Sequence, residues 1–396
     1  FSAMAIIQAL AFMIGMGSGN YMTRSLGAGK RELAEQIVSI AFFTGIIMGL
    51  VITVSATFNI HRVVLLLGAT ETIAPYAEAY AHYIFIAAPF MICSFIMNNL
   101  LRFQGKASFA MVGITVGGLL NIALDPLFIF TLDMGTAGAA LATGLSQFIS
   151  FCILLWMCNH QDSCISISIR KFRPKLAIYR EVLYGGIPSL GRQGIASVAT
   201  ILMNFMCQPY GDAAIAAMSI VSRFMFFINS VIIGFGQGFQ PVCSYCFGAG
   251  LYDRVKKACW FCIRVSTIIL LVLSVISFPA ARSIITLFRR NDPTVIEIGT
   301  LALRLQLITL PLQGAVIMGN MMPQSIGYGF RATLVSTARQ GIFLIPLLTI
   351  MTYTIGLLGI QCAQPLADIA TFILSLFVIR GIFKEFPEDA SSFAAQ

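Results

Sequence analysis

Charged residues are scarce in this chain of 396 residues: they make up 10% of it, whereas 58% of the residues are hydrophobic. Water-soluble domains carry about a quarter charged residues, so this composition excludes a soluble protein. Histidine is nearly absent, with three residues, and none of them forms an HExxH pattern, which argues against an intramembrane metalloprotease. No other motif indicates catalysis, and we therefore expect neither enzyme activity nor a cofactor.

Strict alternation of apolar and polar residues is also absent, and the apolar runs are far longer than the strands of an outer-membrane barrel. A helix of about 20 residues crosses a bilayer, and the pattern predicts an all-α integral membrane protein. The predicted spans lie near residues 1–24, 36–58, 73–101, 107–131, 135–157, 181–207, 212–247, 258–280, 295–323, 329–353 and 356–384.

The chain contains an internal repeat with an offset of 221 or 222 residues. The landmarks of the first copy are Gly15, Gly17, Gly27, Gly29, Pro89, Asn98, Gly105, Gly135 and Gly138; those of the second are Gly236, Gly238, Gly248, Gly250, Pro311, Asn320, Gly327, Gly356 and Gly359. Both copies run in the same direction through the membrane. A duplicated membrane unit usually forms its binding site at the interface between the halves.

Eleven spans are an odd number for two equal halves, and the repeat places the gap at the start of the first copy. We expect two six-helix lobes of which the first helix is missing. The predicted N-lobe is 1–157 (helices 2 to 6 of the intact protein), the cytoplasmic linker is 158–180, and the C-lobe is 181–396 (helices 7 to 12) with a short cytoplasmic tail.

The loops predict the orientation. One set of alternate connections holds most of the 25 Lys and Arg residues, including five between Arg170 and Arg180, whereas the opposite set holds only Arg62, Arg282, Arg289 and Arg290. By the positive-inside rule the first set is cytoplasmic, and both termini of the intact protein are inside. The net charge of +9 is therefore a topology signal and does not indicate nucleic-acid binding.

Two cysteine pairs, Cys243/Cys246 and Cys259/Cys262, have a spacing that would suggest zinc in a soluble protein. Both pairs lie at the ends of apolar helices, where cysteine commonly packs as a small residue. The glycine clusters lie inside predicted spans and follow no strand, so a dinucleotide site is excluded. No complete Walker motif is present.

Asp125 has no basic residue to accompany it. Asn121 lies one turn earlier on the same helix face, and Pro126 follows directly, which weakens the helix and frees a carbonyl. Thr143 lies on the next predicted helix at a similar depth, roughly 9 to 12 Å from the outer end. Such oxygen ligands suit Na⁺, and a lone desolvated carboxylate otherwise takes a proton. Two interpretations stay open: a cation-coupling site, or a polar helix cap with an Asp-Pro turn near the membrane surface.

Asp368 and Arg339 both lie about 15 to 18 Å deep, at mid-membrane, and we predict that they form a structural ion pair or share a polar network. Their counterparts at an offset of 221 are Gln147 and Gly118, so the pair is not duplicated. Four further arginines lie within predicted spans, where they snorkel or line aqueous cavities: Arg192, Arg223, Arg264 and Arg304.

Several motifs together resemble the multidrug and toxic compound extrusion (MATE) transporters, and are closest to the prokaryotic MepA-like and DinF-like branch. They are GAGKRELAE, GAGLYDRVKKA, the LRFQGK stretch at 101–106, NIALDPLFIF at 121–130, GTAGAALAT at 135–143, QGFQPVCSYCFGAG at 237–250 and the Arg-Gln-Gly at 339–341. The resemblance covers essentially the whole chain. It implies twelve helices in two lobes around a central cavity.

The resemblance also implies multidrug efflux of amphipathic, often cationic, compounds in exchange for Na⁺ or H⁺ by alternating access. In the family an N-lobe cation site uses an Asp on the first helix, an Asn and an Asp on the fifth and a Thr on the sixth. The last three match Asn121, Asp125 and Thr143, and the first-helix Asp would lie in the missing stretch. The NorM-like branch instead uses acidic residues on the seventh and tenth helices of the C-lobe. This chain departs from that pattern, because those two spans contain only Glu181 at the cytoplasmic edge and Glu297 near the outer surface. Residues expected to line the cavity are Phe90, Met91, Asn98, Gln193, Met203, Asn204, Gln237 and Gln240.

The resemblance places the protein in the inner membrane of a prokaryote, as a monomer that contacts the lipid bilayer and small drugs or toxic metabolites. An alternative within transport is a flippase for lipid-linked oligosaccharides, which Arg192, Arg223 and Arg339 keep open because such a cargo needs a cationic cavity. A passive channel or a membrane scaffold is the alternative from another class. Neither of those requires an intramembrane acid beside a helix-breaking proline.

Overall fold

The computed structural model describes residues 2–66, 73–160, 167–290 and 292–387. Throughout these ranges the regular structure is helical, with no strand, which confirms the predicted all-α class. The chain packs as two compact units, residues 1–190 (unit 1) and 191–396 (unit 2).

Unit 1 contains six helices and the first half of a seventh. They are α1 (Ser2–Gly27), α2 (Arg31–Phe58), α3 (Ile60–Leu66), α4 (Ala74–Phe103), α5 (Ala107–Pro126), α6 (Gly135–His160) and the start of α7 (Leu176–Cys207). A π-helical turn, Leu127–Thr131, follows α5, and a 3-10 turn, Ile169–Lys171, precedes α7. Helix α4 is the core of the unit, since it packs against α1, α2, α5 and α6.

Unit 2 contains the end of α7 and seven further helices. They are α8 (Asp212–Gly248), α9 (Tyr252–Phe288), α10 (Pro293–Thr309), α11 (Gln313–Ile326), α12 (Gly329–Thr337), α13 (Leu344–Ile355) and α14 (Leu357–Glu385). Short turns connect them: 3-10 turns at Gln208–Tyr210 and Leu310–Leu312, and a π-helical turn at Ala338–Phe343 between α12 and α13.

Ten helical segments of the described residues are long and apolar enough to cross a membrane, counting α10 with α11 and α12 with α13 as single spans. The predicted span 181–207 lies within α7, which is long enough but is not among the ten. Polar residues in its middle, such as Arg192 and Gln193, lower its hydropathy. Many large apolar side chains on the other spans are exposed, for instance Phe130 and Phe226, as lipid-facing residues are.

The sequence repeat recurs in the backbone. Seven glycines of the described ranges have a positive φ, and six of them form three pairs at the repeat offset: Gly29 and Gly250, Gly105 and Gly327, Gly135 and Gly356. Each follows or precedes a helix end, where the chain enters a left-handed conformation that a side chain would oppose. Glycine is therefore required at these three turns in both copies.

The repeat also recurs in tertiary hydrogen bonds. The bonds at equivalent positions are Asn98 Nδ2 to the Ala110 carbonyl and Asn320 Nδ2 to the Ala332 carbonyl, both 2.8 Å, and Thr23 Oγ1 to the Phe103 carbonyl (3.0 Å) and Ser244 Oγ to the Ser325 carbonyl (3.1 Å). The two copies thus share side-chain packing as well as topology.

The division between the units falls inside α7, because the first half of this helix packs closely on α1. A Cβ atom at Gly17 would lie 1.9 Å from the Val182 carbonyl oxygen, and one at Gly186 would lie 2.1 Å from the Met13 carbonyl oxygen. Pro188 lies inside the helix, two residues before the division. The predicted lobes 1–157 and 181–396 with the linker 158–180 stay a prediction.

The contact between α1 and α7 predicts that Gly17→Ala destabilises the protein, because the added methyl group would collide with backbone. Overpacking costs ~1–3 kcal/mol, which lowers the Tm by about 5 °C in a unit of this size. The matched control is Gly238→Ala at the equivalent repeat position, where a Cβ meets nothing within 4 Å. Thermal unfolding in detergent followed by size-exclusion chromatography measures both; equal Tm values for the two variants would contradict the close contact.

Candidate functional site

A polar cluster joins α5 and α6 in unit 1. Asn121 Nδ2 donates to Asp125 Oδ1 (3.2 Å) and to Thr143 Oγ1 (3.3 Å), while the Thr143 hydroxyl donates to the Ala139 carbonyl (3.0 Å). All three side chains are partly buried. The structure therefore brings together the three residues that the sequence predicts as a cation site.

The backbone next to Asp125 departs from regular α-helix. Helix α5 ends at Pro126, whose ring nitrogen has no hydrogen to donate, and the wider π-helical turn Leu127–Thr131 begins directly after it. Such turns are frequent at functional sites, because they move carbonyls out of the regular ladder. The carboxylate thus lies at the end of a straight helix and the beginning of an irregular one.

No Lys, Arg or His of the described ranges forms an ion pair with Asp125. The phenol of Tyr80 on α4 lies close enough to the carboxylate for an electrostatic interaction, and its hydroxyl donates to Met4 Sδ at 3.5 Å. Tyr80 precedes Asp125 by 45 residues and is not among the site residues that the sequence predicts. Its only sequence signal is a polar aromatic within a predicted span.

A small cavity of about 50 Å³ lies between α4, α5 and α6 of unit 1. Its lining residues are Ser94, Phe95, Ile114, Gly117, Gln147 and Ser150. The Ser150 hydroxyl donates to the Gly113 carbonyl (2.8 Å), whereas the buried Ser94 hydroxyl has no hydrogen-bond partner. Gly117 and Gln147 each lie one turn from the cation-site residues of their own helix, so the cavity continues the polar side of this helix pair.

Three predicted cavity residues lie in unit 1, and two of them are buried within it. Met91 belongs to the apolar core, and Asn98 donates to the Ala110 carbonyl. Phe90 is partly buried and packs edge-on against Phe148, with ring centroids 4.9 Å apart. These side chains support helix packing around the cavity and are not among those that line it.

The other five predicted cavity residues lie in unit 2. Gln240 is fully buried and donates through Nε2 to Gln324 Oε1 (3.3 Å), so it binds α8 to α11. Gln193, Met203 and Gln237 are partly buried, and Asn204 is exposed. Their assignment to a substrate cavity stays a prediction.

Arg339 and Asp368 form an ion pair in unit 2. Arg339 Nε donates to Asp368 Oδ1 at 2.8 Å, and Gln364 Nε2 donates to the same oxygen at 3.0 Å. The aspartate side chain is 1% exposed and the arginine side chain 22% exposed. Arg339 belongs to the π-helical turn Ala338–Phe343, so both units place an irregular turn beside an acidic side chain or its partner.

The cysteine pairs of unit 2 pack as apolar residues. Cys243, Cys259 and Cys262 are buried, Cys246 is partly buried, and all four are free thiols. Within the described ranges no group of three or more His, Cys, Asp or Glu residues could hold a metal ion.

The family model for MatE matches residues 1–127 and 188–350. Among curated proteins, the chain is 28% identical over 375 residues to the multidrug export protein MepA of Staphylococcus saprophyticus, covering 95% of this chain and 82% of that one. It is 27% identical over 388 residues to MepA of Staphylococcus haemolyticus, covering 98% and 85%.

Solved structures are also similar. A MATE protein in a bent conformation is 25% identical with a TM-score of 0.90, covering 96% of this chain and 85% of that one. A MATE structure in a straight conformation is 25% identical with a TM-score of 0.90, covering 97% of this chain and 86% of that one. A MOP superfamily transporter from Pyrococcus furiosus is 25% identical with a TM-score of 0.90, covering 98% of this chain and 87% of that one. Its structure is described as having a binding pocket of reverse polarity that suggests a different function.

The two acidic sites predict effects of different size on stability. Asp368→Asn removes the charge that neutralises Arg339, and breaking a buried pair from one side costs ~3–5 kcal/mol, which lowers the Tm by about 10 °C. Asp125→Asn changes the Tm by about 2 °C or less, because its partners are uncharged and its side chain is partly exposed. Differential scanning fluorimetry in detergent measures both, and a larger effect at Asp125 would contradict this assignment.

Proposed function

The chain belongs to the MatE family, and from this premise we propose that it is a secondary active efflux antiporter. It exports amphipathic, often cationic, compounds in exchange for Na⁺ or H⁺ by alternating access. The observation that carries the proposal is the cluster of Asn121, Asp125 and Thr143, which holds a carboxylate within the membrane without a basic partner in the described part of the chain.

An ionised carboxylate at this depth is costly unless a cation neutralises it. Asp125, Thr143 and the amide of Asn121 together offer three oxygens, which are the ligands that hard cations prefer. In the present arrangement the amide nitrogen of Asn121 bridges the other two oxygens. Rotation of that amide by half a turn exchanges its nitrogen for its oxygen and completes a set of three oxygens around a Na⁺ ion, whereas protonation of Asp125 neutralises the site directly.

Exchange requires that the ion and the exported compound favour different conformations, because a ligand shifts an equilibrium only by its differential affinity. Pro126 and the π-helical turn after it supply an element that can change shape at small cost, since their backbone hydrogen bonds are already irregular. We propose that loading of Asp125 alters the hydrogen bonds at this turn and lowers the affinity for the drug.

We propose that the cavity of unit 1 holds one small group of the exported compound, since its volume of about 50 Å³ is too small for a whole drug-sized molecule. It combines an aromatic side chain, Phe95, and an aliphatic one, Ile114, with the hydroxyl of Ser94 and the amide of Gln147. Binding sites for small molecules typically have such an apolar lining with a few polar groups. The names of the Staphylococcus relatives as multidrug export proteins support a small-molecule cargo.

A flippase for lipid-linked oligosaccharides is the second candidate, which the unpaired arginines favour. Neither Arg192 nor Arg223 forms an ion pair within the described ranges, whereas Arg339 is neutralised by Asp368. Translocation of a labelled lipid diphosphate without any ion gradient would favour the flippase over the antiporter.

The apolar helices make this a multi-pass membrane protein. We propose the cytoplasmic membrane of a prokaryote, with both termini of the intact protein inside, because bacterial relatives and the distribution of basic loops favour this placement. A monomer is the proposed functional form.

Asp125→Asn is expected to abolish ion-coupled export, because the amide can neither take a proton nor neutralise Na⁺. The measurement is efflux of a cationic dye from proteoliposomes under an imposed Na⁺ or pH gradient, with the rate falling to that of protein-free liposomes. The matched control is Asp133→Asn: Asp133 is exposed, and its φ of 51° suits asparagine. Undiminished gradient-driven export by Asp125→Asn would refute the coupling assignment.

Gly117→Ala is expected to weaken dye binding about threefold, or ~0.7 kcal/mol, because the methyl group would lie 3.1 Å from Ser150 Cβ at the cavity wall. The adjacent Gly118→Ala is the control, since a Cβ there meets nothing within 4 Å. Fluorescence polarisation of the dye on purified protein gives the Kd. Equal Kd values for the two variants would remove the cavity from the substrate path.

A further inference from the structure

The segment that leads into α7 is fastened to the first half of α2, within unit 1. Lys171 Nζ donates to Glu35 Oε2 at 2.6 Å. The ring of Phe172, the next residue, packs against the ring of Phe43, with centroids 5.3 Å apart. Lys171 and Phe172 therefore point toward the protein, and these contacts decide which side of the segment faces away from it.

Main-chain hydrogen bonds hold the same segment at the level of the lipid headgroups. The Ile167 amide donates to Asn159 Oδ1 at 3.3 Å, and the Ser168 amide donates to Ser39 Oγ at 3.3 Å. Asn159 lies in the last turn of α6, and Ser39 lies near the beginning of the predicted span 36–58. The segment thus crosses between two helices where both leave the hydrocarbon core, and the headgroup region extends about 5 to 7 Å beyond that core on each side.

The side of the segment that faces away from unit 1 is basic. Arg170, Arg173 and Lys175 are exposed, and none of them forms an ion pair with an acidic side chain of the described ranges. Glu35, the acid to which the segment is bound, is already paired with Lys171. The three exposed side chains therefore leave three positive charges that the protein itself does not balance.

Two large aliphatic side chains flank these charges. Ile169 is 73% exposed and Leu176 is 85% exposed. Exposed aliphatic residues beside basic ones are typical of a segment that lies on a membrane surface, because the aliphatic groups reach the acyl chains while the basic groups stay at the phosphates. Charge and apolar exposure thus point to the same kind of partner.

We infer that the exposed side of residues 169–176 binds the headgroups of anionic phospholipids, in the leaflet on the side where α2 begins. The inference goes beyond the proposed export function and does not depend on it. Phosphate groups complement the three unbalanced basic side chains. A nucleic acid would also complement these charges, but it would leave Ile169 and Leu176 in water, whereas a phospholipid offers acyl chains to both.

Trp156 is a natural reporter for this surface. It is 53% exposed and precedes Asn159 on α6 by about one turn. The chain has two tryptophans, so Trp260→Phe leaves Trp156 as the single fluorophore. The full-length protein with this substitution serves as the parent for the experiment, and bromine atoms on a lipid quench tryptophan fluorescence only when the lipid lies beside it.

The test compares brominated phosphatidylglycerol, which is anionic, with brominated phosphatidylcholine, which is zwitterionic, in phosphatidylcholine bilayers. Quenching of Trp156 as a function of lipid fraction gives the relative association constant of the two lipids. We expect at least a tenfold preference for the anionic lipid, because each basic residue near the surface contributes about fivefold. The preference is expected to fall toward one in 1 M NaCl, since salt screens charges at a surface.

Substitutions locate the effect. Arg170→Gln/Arg173→Gln is expected to lower the preference at least fivefold, and Arg170→Lys/Arg173→Lys, which keeps both charges, to retain most of it. The matched control is Arg254→Gln/Lys257→Gln, which removes two exposed basic side chains from the first turns of α9 in unit 2. It is expected to change the preference by about twofold or less. Each variant is measured on protein that elutes like the parent in size-exclusion chromatography.

Two results would overturn the inference. The first is equal quenching of Trp156 by the two brominated lipids in the parent protein. The second is an equal loss of preference in the unit 1 double variant and in its unit 2 control, which would assign the effect to the net charge of the whole protein. Either result leaves the proposed antiport untouched, because that proposal is tested by ion-coupled export.

Discussion

A carboxylate within the hydrocarbon layer is costly unless it is neutralised, and this requirement distinguishes the two acidic sites of the structure. Asp368 meets it inside the protein, because Arg339 and Gln364 both donate to its Oδ1. Asp125 does not, since the side chain that donates to it is the neutral amide of Asn121. A carboxylate that the fold leaves without a counter-charge can be neutralised only by something that arrives from solution, and this makes the site a place for exchange. The structural role of Asp368 and the proposed coupling role of Asp125 therefore follow from the same electrostatic requirement.

The internal duplication allows the polar groups of the two copies to be compared at equivalent positions. The two copies share their turn glycines and the hydrogen bonds of Asn98 and Asn320, so their frameworks are the same. They differ where Gly118 and Gln147 in one copy correspond to Arg339 and Asp368 in the other. Unit 1 has a cavity beside Gln147, whereas unit 2 has an ion pair at the equivalent position. One framework therefore supports two different sites by two substitutions.

Much of this could be read from the sequence, for physical reasons. The spacing of Asn121 and Asp125 puts both on one helix face, and the depth of Thr143 places it at the same level. The same depth argument predicts that Arg339 meets Asp368. The helical class follows from composition alone. These arguments use only the spacing of residues along a helix and their depth in the membrane. They hold because the membrane aligns the helices.

The other features of the site depend on tertiary packing, which the sequence does not reveal. Tyr80 lies close enough to Asp125 for an electrostatic interaction although 45 residues separate them, and Gln240 and Met91 are buried within their own units. In a membrane span the lipid face and the packed face are both apolar, so periodicity does not reveal which way a side chain points. The π-helical turns have no sequence pattern of their own.

Helix α7 belongs partly to each unit, with its first half against α1 and its second half against the π-helical turn near Arg339. Pro188 lies two residues before the division and removes one backbone hydrogen bond there. Because that bond is missing, bending of α7 costs less free energy beside Pro188 than elsewhere along the helix.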